Sequence, residues 1–158
     1  MADWLKFVES HFTELNVPKH DRVLNAGAAI TKINDVGAGL GIAFPDEFVE
    51  LYAMHDGIGH QNSDMTWWLT RPLDHLEEFA TTICNWFREN HPELAERYIP
   101  FIDYGNGSAI GYLLNENSKA MPGLYHFNTG AYDFDDEDQE HEEFLRNDFQ
   151  SIEHFFKC

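Results

Sequence analysis

LGIAFPDEFVELYAMHDGIG, running from Leu40 to Gly59, carries the sharpest local signal in the chain. Pro45 suits a first helical position, where its φ is preset and its missing N–H is not needed. Asp46 and Glu47 put negative charge in the first turn, where the helix dipole favours it. Phe44, Phe48, Leu51 and Tyr52 then fall on one face at i, i+4, i+7 and i+8. Gly57 supplies the left-handed residue that ends a helix. The pattern predicts a short helix with sharp bounds and one buried face.

On its N-terminal side, Asp3 is placed to cap a helix whose inner face is Trp4, Val8, Phe12 and Leu15, widened by Leu5 and Phe7. Asn16-Val17-Pro18 closes it, and Lys19 to Asn25 reads as a polar connection. A second, weaker helix is expected near Ala28 to Val36, unpicked at its end by Gly37-Ala38-Gly39. On the C-terminal side, Ile58 to Asp64 reads as a loop and Met65 to Thr70 as a strand. Trp67 and Trp68 must point to opposite faces of that strand, one toward the core, the other covered by a helix or offered to a partner. Asp74 heads an amphipathic helix with Leu76, Phe79, Ile83 and Phe87 inward and Trp86 beside them, ending before Asn90-His91-Pro92.

Strands dominate the chain beyond that helix. Tyr98 to Tyr104 is predicted as a strand, with Pro100 arguing for an edge or a strand start. Gly105-Asn106-Gly107 makes a turn to a returning strand over Ile110 to Leu114. Met121-Pro122-Gly123 turns into a third strand, Leu124 to Phe127. Helical spacing resumes near Glu142, with Leu145, Phe149, Ile152 and Phe156 separated by four, three and four. Helices early and strands late, without βαβ alternation, predict an α+β fold: an antiparallel sheet with helices packed mainly on one side.

The 158 residues suit one domain over the whole chain, and 43% apolar with 15% aromatic content is enough for a packed core. A formal net charge of −18 opposes approach to nucleic acid and to anionic membranes, and makes a basic protein the natural partner. No run of about 18 apolar residues is present. Met1 to Leu15 lacks a basic start before an apolar block, so a soluble, unexported, cytoplasmic protein is expected. Cys84 and Cys158 match no metal spacing and suit a reducing compartment as two free thiols, one buried and one terminal.

Asp133 to Glu143, DFDDEDQEHEE, holds eight carboxylates and no lysine or arginine. Three readings stand beside each other. One is a solvated loop leading into the last helix. Another is weak screening by calcium; a dedicated EF-hand loop would need glycine and glutamate where Asp138 and Phe144 stand. The last is a surface that faces a basic cleft, with carboxylates steering association and Tyr132 and Phe134 anchoring it. No catalytic constellation is visible. His55-Asp56, with His60 near, matches the histidine–aspartate pair of metal phosphohydrolases but lacks the further ligands on long helices that such enzymes use. His55 is better placed at a helix C-terminus, facing its dipole. No serine sits in a nucleophile elbow, and Gly105-Asn106-Gly107 lacks the lysine and helix of a phosphate loop. Neither metal nor cofactor is expected.

Asn25 to Gly57 resembles the opening of the SUKH superfamily, which includes fungal cell-wall-assembly regulators and many bacterial toxin-immunity proteins. The family text is a first helix, an "lG..lP" turn and "Pxd(f/y)..ly..hdG". Here those places are filled by Ile30, Ile33 and Val36, by Leu40 and Gly41, and by Pro45, Asp46, Phe48, Leu51, Tyr52, His55, Asp56 and Gly57. YIPFIDYGNGSAIGYLL is similar to the family's hairpin segment, GLYHFNTG to its next strand, and SIEHFF to its closing helix with Ser151 as N-cap. The resemblance thus runs from about residue 25 to 156. It departs at Asn115, where many members carry an aspartate, so any role of that position in partner choice is not transferable. The resemblance implies a bacterial immunity protein that occludes a cognate basic toxin, a nuclease, without chemistry of its own; the alternative is a regulatory or scaffold module that recruits partners. Candidate partner-binding residues are Tyr132, Asp133, Phe134, Asp135, Asp136, Glu137, Asp138 and Glu140, with Trp68 from the strand.

Overall fold

The computed structural model describes residues 3–157. In chain order the elements are α1 (Trp4–Glu14), β1 (Arg22–Leu24), α2 (Ile30–Leu40), α3 (Asp46–Met54), β2 (Ile58–Asn62), β3 (Met65–Thr70), α4 (Leu76–Cys84), α5 (Pro92–Ala95), β4 (Tyr98–Asp103), β5 (Ala109–Leu113), β6 (Leu124–Phe127), β7 (Leu145–Phe149) and α6 (Ile152–Lys157). Short 3-10 turns lie at Lys19–Asp21, Leu73–His75, Thr129–Ala131 and His141–Glu143. The strands form one antiparallel sheet in sequential order from β1 to β7. The fold is α+β.

Alternation along the strands divides the interior into two apolar clusters. On β5, Ile110 and Tyr112 join a larger cluster with the buried faces of α1, α2, α3 and α6, while Ala109 and Leu113 join a smaller one with α4 and α5. Four helices therefore cover one face and two the other. The α3 stripe forms as the spacing predicts: Phe44, Phe48, Leu51 and Tyr52 are buried. Phe48 stacks between Phe44 and Tyr52 at 3.7 and 4.2 Å and meets Phe101 of β4 edge-on at 5.0 Å. Such pairs add about 0.5–1.5 kcal/mol each beyond burial. Glu47, off the stripe, accepts from the Tyr112 hydroxyl at 3.1 Å and from the Ile152 N–H at 3.0 Å. One carboxylate thus ties α3 to β5 and to the start of α6, and its burial raises its pKa.

Several boundaries differ from the sequence reading. Leu15 is exposed, because Asn16 turns left-handed at φ +57 and ends α1 first. Asp3 caps α1 by accepting from Lys6 N–H at 3.3 Å. The connection after α1 contains the edge strand β1. Helix α2 runs through Gly37 and Gly39 to Leu40 and is ended by Gly41 at φ +84. Gly37 is there for close approach: a side-chain carbon on it would lie 2.6 Å from the Ile42 carbonyl oxygen. Gly57 does not cap α3, which ends at Met54 with His55 already extended; it takes φ +104 in the turn into β2. Ile58–Asn62 is strand rather than loop. Asp74 makes no cap and pairs with Lys32 instead. Leu145 and Phe149 belong to a strand, and a register shift opposite Leu124 and Tyr125 turns them to opposite clusters, Leu145 with Phe127 and Phe149 with Leu124. Ser151 does cap the closing helix, its Oγ accepting from His154 N–H at 3.0 Å. Cys84 is buried with its thiol pushed up to about 12, whereas Cys158 lies outside the described residues.

Pro100 sits in an interior strand, not at an edge. The register with β5 shifts between Pro100 and Ile102, and β3 pairs with β4 only at Thr70↔Ile102. That single pair makes β3–β4 the weakest seam of the sheet. Arg71 closes one end of it: its N–H donates to the Phe101 carbonyl at 2.9 Å and its guanidinium to Asp103 at 3.0 and 2.6 Å.

Candidate interaction surface

The acidic segment is held in a defined shape. Gln139 clasps it from both sides, accepting from Asp133 N–H at 2.8 Å and donating to the Ala131 carbonyl at 2.8 Å. Asp133 and Asp136 each accept the N–H two residues on, from Asp135 at 2.9 Å and Asp138 at 3.0 Å. Asn90, beyond α4, donates to the Phe134 carbonyl at 3.0 Å. Asp133, Asp135, Asp136, Glu137, Asp138 and Glu140 all remain exposed. Asp133 and Asp136 thus spend local bonds on the segment's own backbone, and the array of carboxylates stays displayed.

Aromatic rings support this segment from below and flank it at the surface. Tyr132 is buried against Phe87 and lies 4.9 Å from Phe144, so it holds the segment up rather than presenting itself. Phe134 is 57% exposed and lies 5.7 Å from Trp86, itself 37% exposed. Helical spacing alone would set Trp86 beside the inner face of α4. After Cys84, however, the backbone tightens, with Trp86 N–H bonding to Ile83 and Phe87 N–H to Cys84, three residues back. The tightening turns Trp86 outward and leaves Phe87 buried.

Trp68 belongs elsewhere. Beyond the Thr70↔Ile102 pair, β3 and β4 diverge and leave a groove of about 690 Å³. Both tryptophans of β3 line it, together with Leu15, Met65 and Tyr104, while none of the acidic residues 133–143 does. Four of its apolar residues are open to solvent: Leu15 by 55%, Met65 by 61%, Trp67 by 41% and Tyr104 by 44%. Trp68 is the more sheltered tryptophan, edge-on to His75 at 5.9 Å. The sequence reading nominates Trp68 for a partner, whereas Trp67 is the more exposed of the two, and nothing in the sequence shows that Leu15 and Tyr104 converge on the groove from far away in the chain.

One turn links the two regions. A side-chain carbon at Gly105 would lie 3.1 Å from the Trp67 ring, and one at Gly107 would lie 3.4 Å from Trp86. The bare backbone of this hairpin turn therefore runs from the groove to the Trp86–Phe134 pair. Surface apolar groups and clustered carboxylates lie side by side.

His55 and Asp56 serve the scaffold. The His55 Nδ1 is 2.9 Å from the Asn25 carbonyl oxygen, and the Asp56 carboxylate accepts from Leu73 N–H at 2.7 Å. Asn115 likewise shapes its own loop, accepting from the N–H groups of Asn117 and Lys119. Among the described residues, no group of three or more histidine, cysteine, aspartate or glutamate side chains converges to hold a metal, and no helix is long and apolar enough to cross a membrane. A family model described as SMI1 / KNR4 family (SUKH-1) matches residues 27–157. No curated protein matches the chain.

Proposed function

The chain belongs to the SMI1 / KNR4 family (SUKH-1), and from that premise we propose that it is a bacterial immunity protein acting in the cytoplasm. It binds a cognate basic toxin, a nuclease, and neutralises it by covering the cleft that would hold nucleic acid. The observation that carries this reading is the ordered acidic segment, eight carboxylates fixed over a buried aromatic cluster in a chain of net charge −18. A phosphate-binding cleft is positively charged, and a pre-shaped array of carboxylates is complementary to it. The carboxylates speed encounter, and Phe134 with Trp86 offers apolar area that slows release. Occlusion suffices, so no catalytic group is needed.

The test takes as candidate toxin a basic nuclease domain, if the genes beside this one encode it. Stoichiometric addition of the chain should abolish DNA cleavage, and the two proteins should co-elute as one complex. Full cleavage in the presence of excess chain would overturn the reading. The apolar groove, which lies outside the acidic segment, favours a second reading: a scaffold module that recruits a partner without blocking it. In that case a complex forms and cleavage continues.

A further inference from the structure

We propose that the groove between β3 and β4 takes an extended segment of a basic partner as an added strand on β3. The inference rests on the reading that the chain acts by binding a basic protein. In an antiparallel strand, alternate residues turn their N–H and C=O to opposite edges. Residues 65–68 pair with β2 on one edge, Leu69 being passed over at a register shift; on the other edge, among the described residues, no strand pairs with residues 65–69. The groove runs along that open edge.

The edge also lacks the features that blunt strand edges elsewhere in this sheet. Outermost β1 is three residues long and begins with Arg22, and outermost β7 carries exposed Arg146 and Asp148. Residues 65–69, MTWWL, hold no charge, no proline and no glycine. Such an edge is a template for another chain. A second copy of this protein is disfavoured as the occupant, because each would bring a charge of −18.

Lining chemistry defines the incoming strand. Arg71 and Asp103 neutralise each other, which leaves Glu78 as the unbalanced charge on the groove. Trp67, Tyr104, Leu15 and Met65 supply apolar surface. A strand alternating large apolar and basic side chains matches both, with its main chain supplying the affinity and its alternate side chains the specificity. The Trp67 ring, resting on Gly105, moves aside as the strand enters.

The experiment titrates the full chain with a decapeptide of alternating valine and lysine, beside the same peptide with alternate amides N-methylated to remove one edge of donors. The expected result is saturable binding that slows hydrogen exchange at residues 65–69, weakens roughly tenfold or more on N-methylation, and is lost in Trp67→Asp. Equal binding of both peptides, protection confined to residues 133–143, or no binding at millimolar peptide would overturn the proposal. So would a concentration-dependent dimer that excludes the peptide. An inhibited nuclease alongside a peptide that does not bind rejects strand addition alone and leaves the immunity reading standing.

Discussion

The acidic segment and the β3 groove differ in how each is held at the surface. The segment is exposed yet pinned: Gln139, Asn90 and its own aspartates fix the backbone, and Tyr132, Phe144 and Phe87 fill the space beneath. The groove is apolar and lies along a seam where two strands share one residue pair. Charge acts at a distance and needs only to be displayed, so the segment suits encounter. Apolar burial acts at contact and benefits from a surface that can adjust, so the groove suits retention. The Gly105-Asn106-Gly107 turn lies between them, Gly105 against Trp67 and Gly107 against Trp86.

Removing the support under one region should leave the other intact. Phe144 is fully buried beneath the segment, and Phe144→Ala is expected to cost about 3–5 kcal/mol in chemical denaturation. Hydrogen exchange should rise at residues 133–143 before it rises at residues 58–70. A loss of protection shared equally by both would show that the two regions form one cooperative unit.

A smaller effect is expected from the seam. Arg71→Ala removes both bonds to Asp103 and the guanidinium lying 5.1 Å over the Phe79 ring. The expected loss is about 1–3 kcal/mol, since Asp103 keeps the Gly105 N–H as a partner. Exchange should quicken in β2 and β3 and stay unchanged in the acidic segment. Unchanged exchange in β3 would mean that other contacts hold the seam.

Protonation gives the smallest effects, and they carry opposite signs. Burial raises the Glu47 pKa, so the folded state binds that proton more readily. Its contribution to stability is complete below the ordinary carboxylate range and is lost as pH rises through the raised value. Burial among Phe12, Phe155 and Phe156 lowers the His11 pKa, so the unfolded state takes up that proton first. Its contribution is therefore lost as pH falls from 6.5 toward the lowered value. In thermal melts against pH, Glu47→Gln should flatten the first trend and His11→Phe the second. Glu47→Gln should leave partner association unchanged, because Glu47 lies in neither the acidic segment nor the groove.

Much of the scaffold is legible in the chain. The α3 stripe, the strands at 65–70, 98–103 and 124–127, and the family resemblance all rest on dense apolar patterning. β1 and β2 escape a sequence reading because their residues, RVL and IGHQN, are too short or too polar to show a period. β7 reads as helix because Leu145 and Phe149 stand four apart, a helical interval, and the register shift that turns them to opposite faces leaves no mark in the sequence. The acidic segment is plain from composition, although its support is not: Tyr132 reads as an anchor until Phe144 and Phe87 are seen around it. The groove has no sequence signal beyond a pair of tryptophans, since it arises from where two strands stop pairing.

Clustered charge on the acidic segment, on this view, drives recognition of a basic partner. Stopped-flow association with the nuclease domain tests that directly, comparing the parent with the Asp133→Asn, Asp135→Asn, Asp136→Asn, Asp138→Asn variant. Asparagine keeps the side-chain oxygens that accept from Asp135 and Asp138 N–H, so the segment's shape is retained. The on-rate at low salt should fall by roughly tenfold or more and its salt dependence should flatten, with dissociation little changed. An on-rate equal to the parent's at low ionic strength would contradict the claim and move recognition away from residues 133–143.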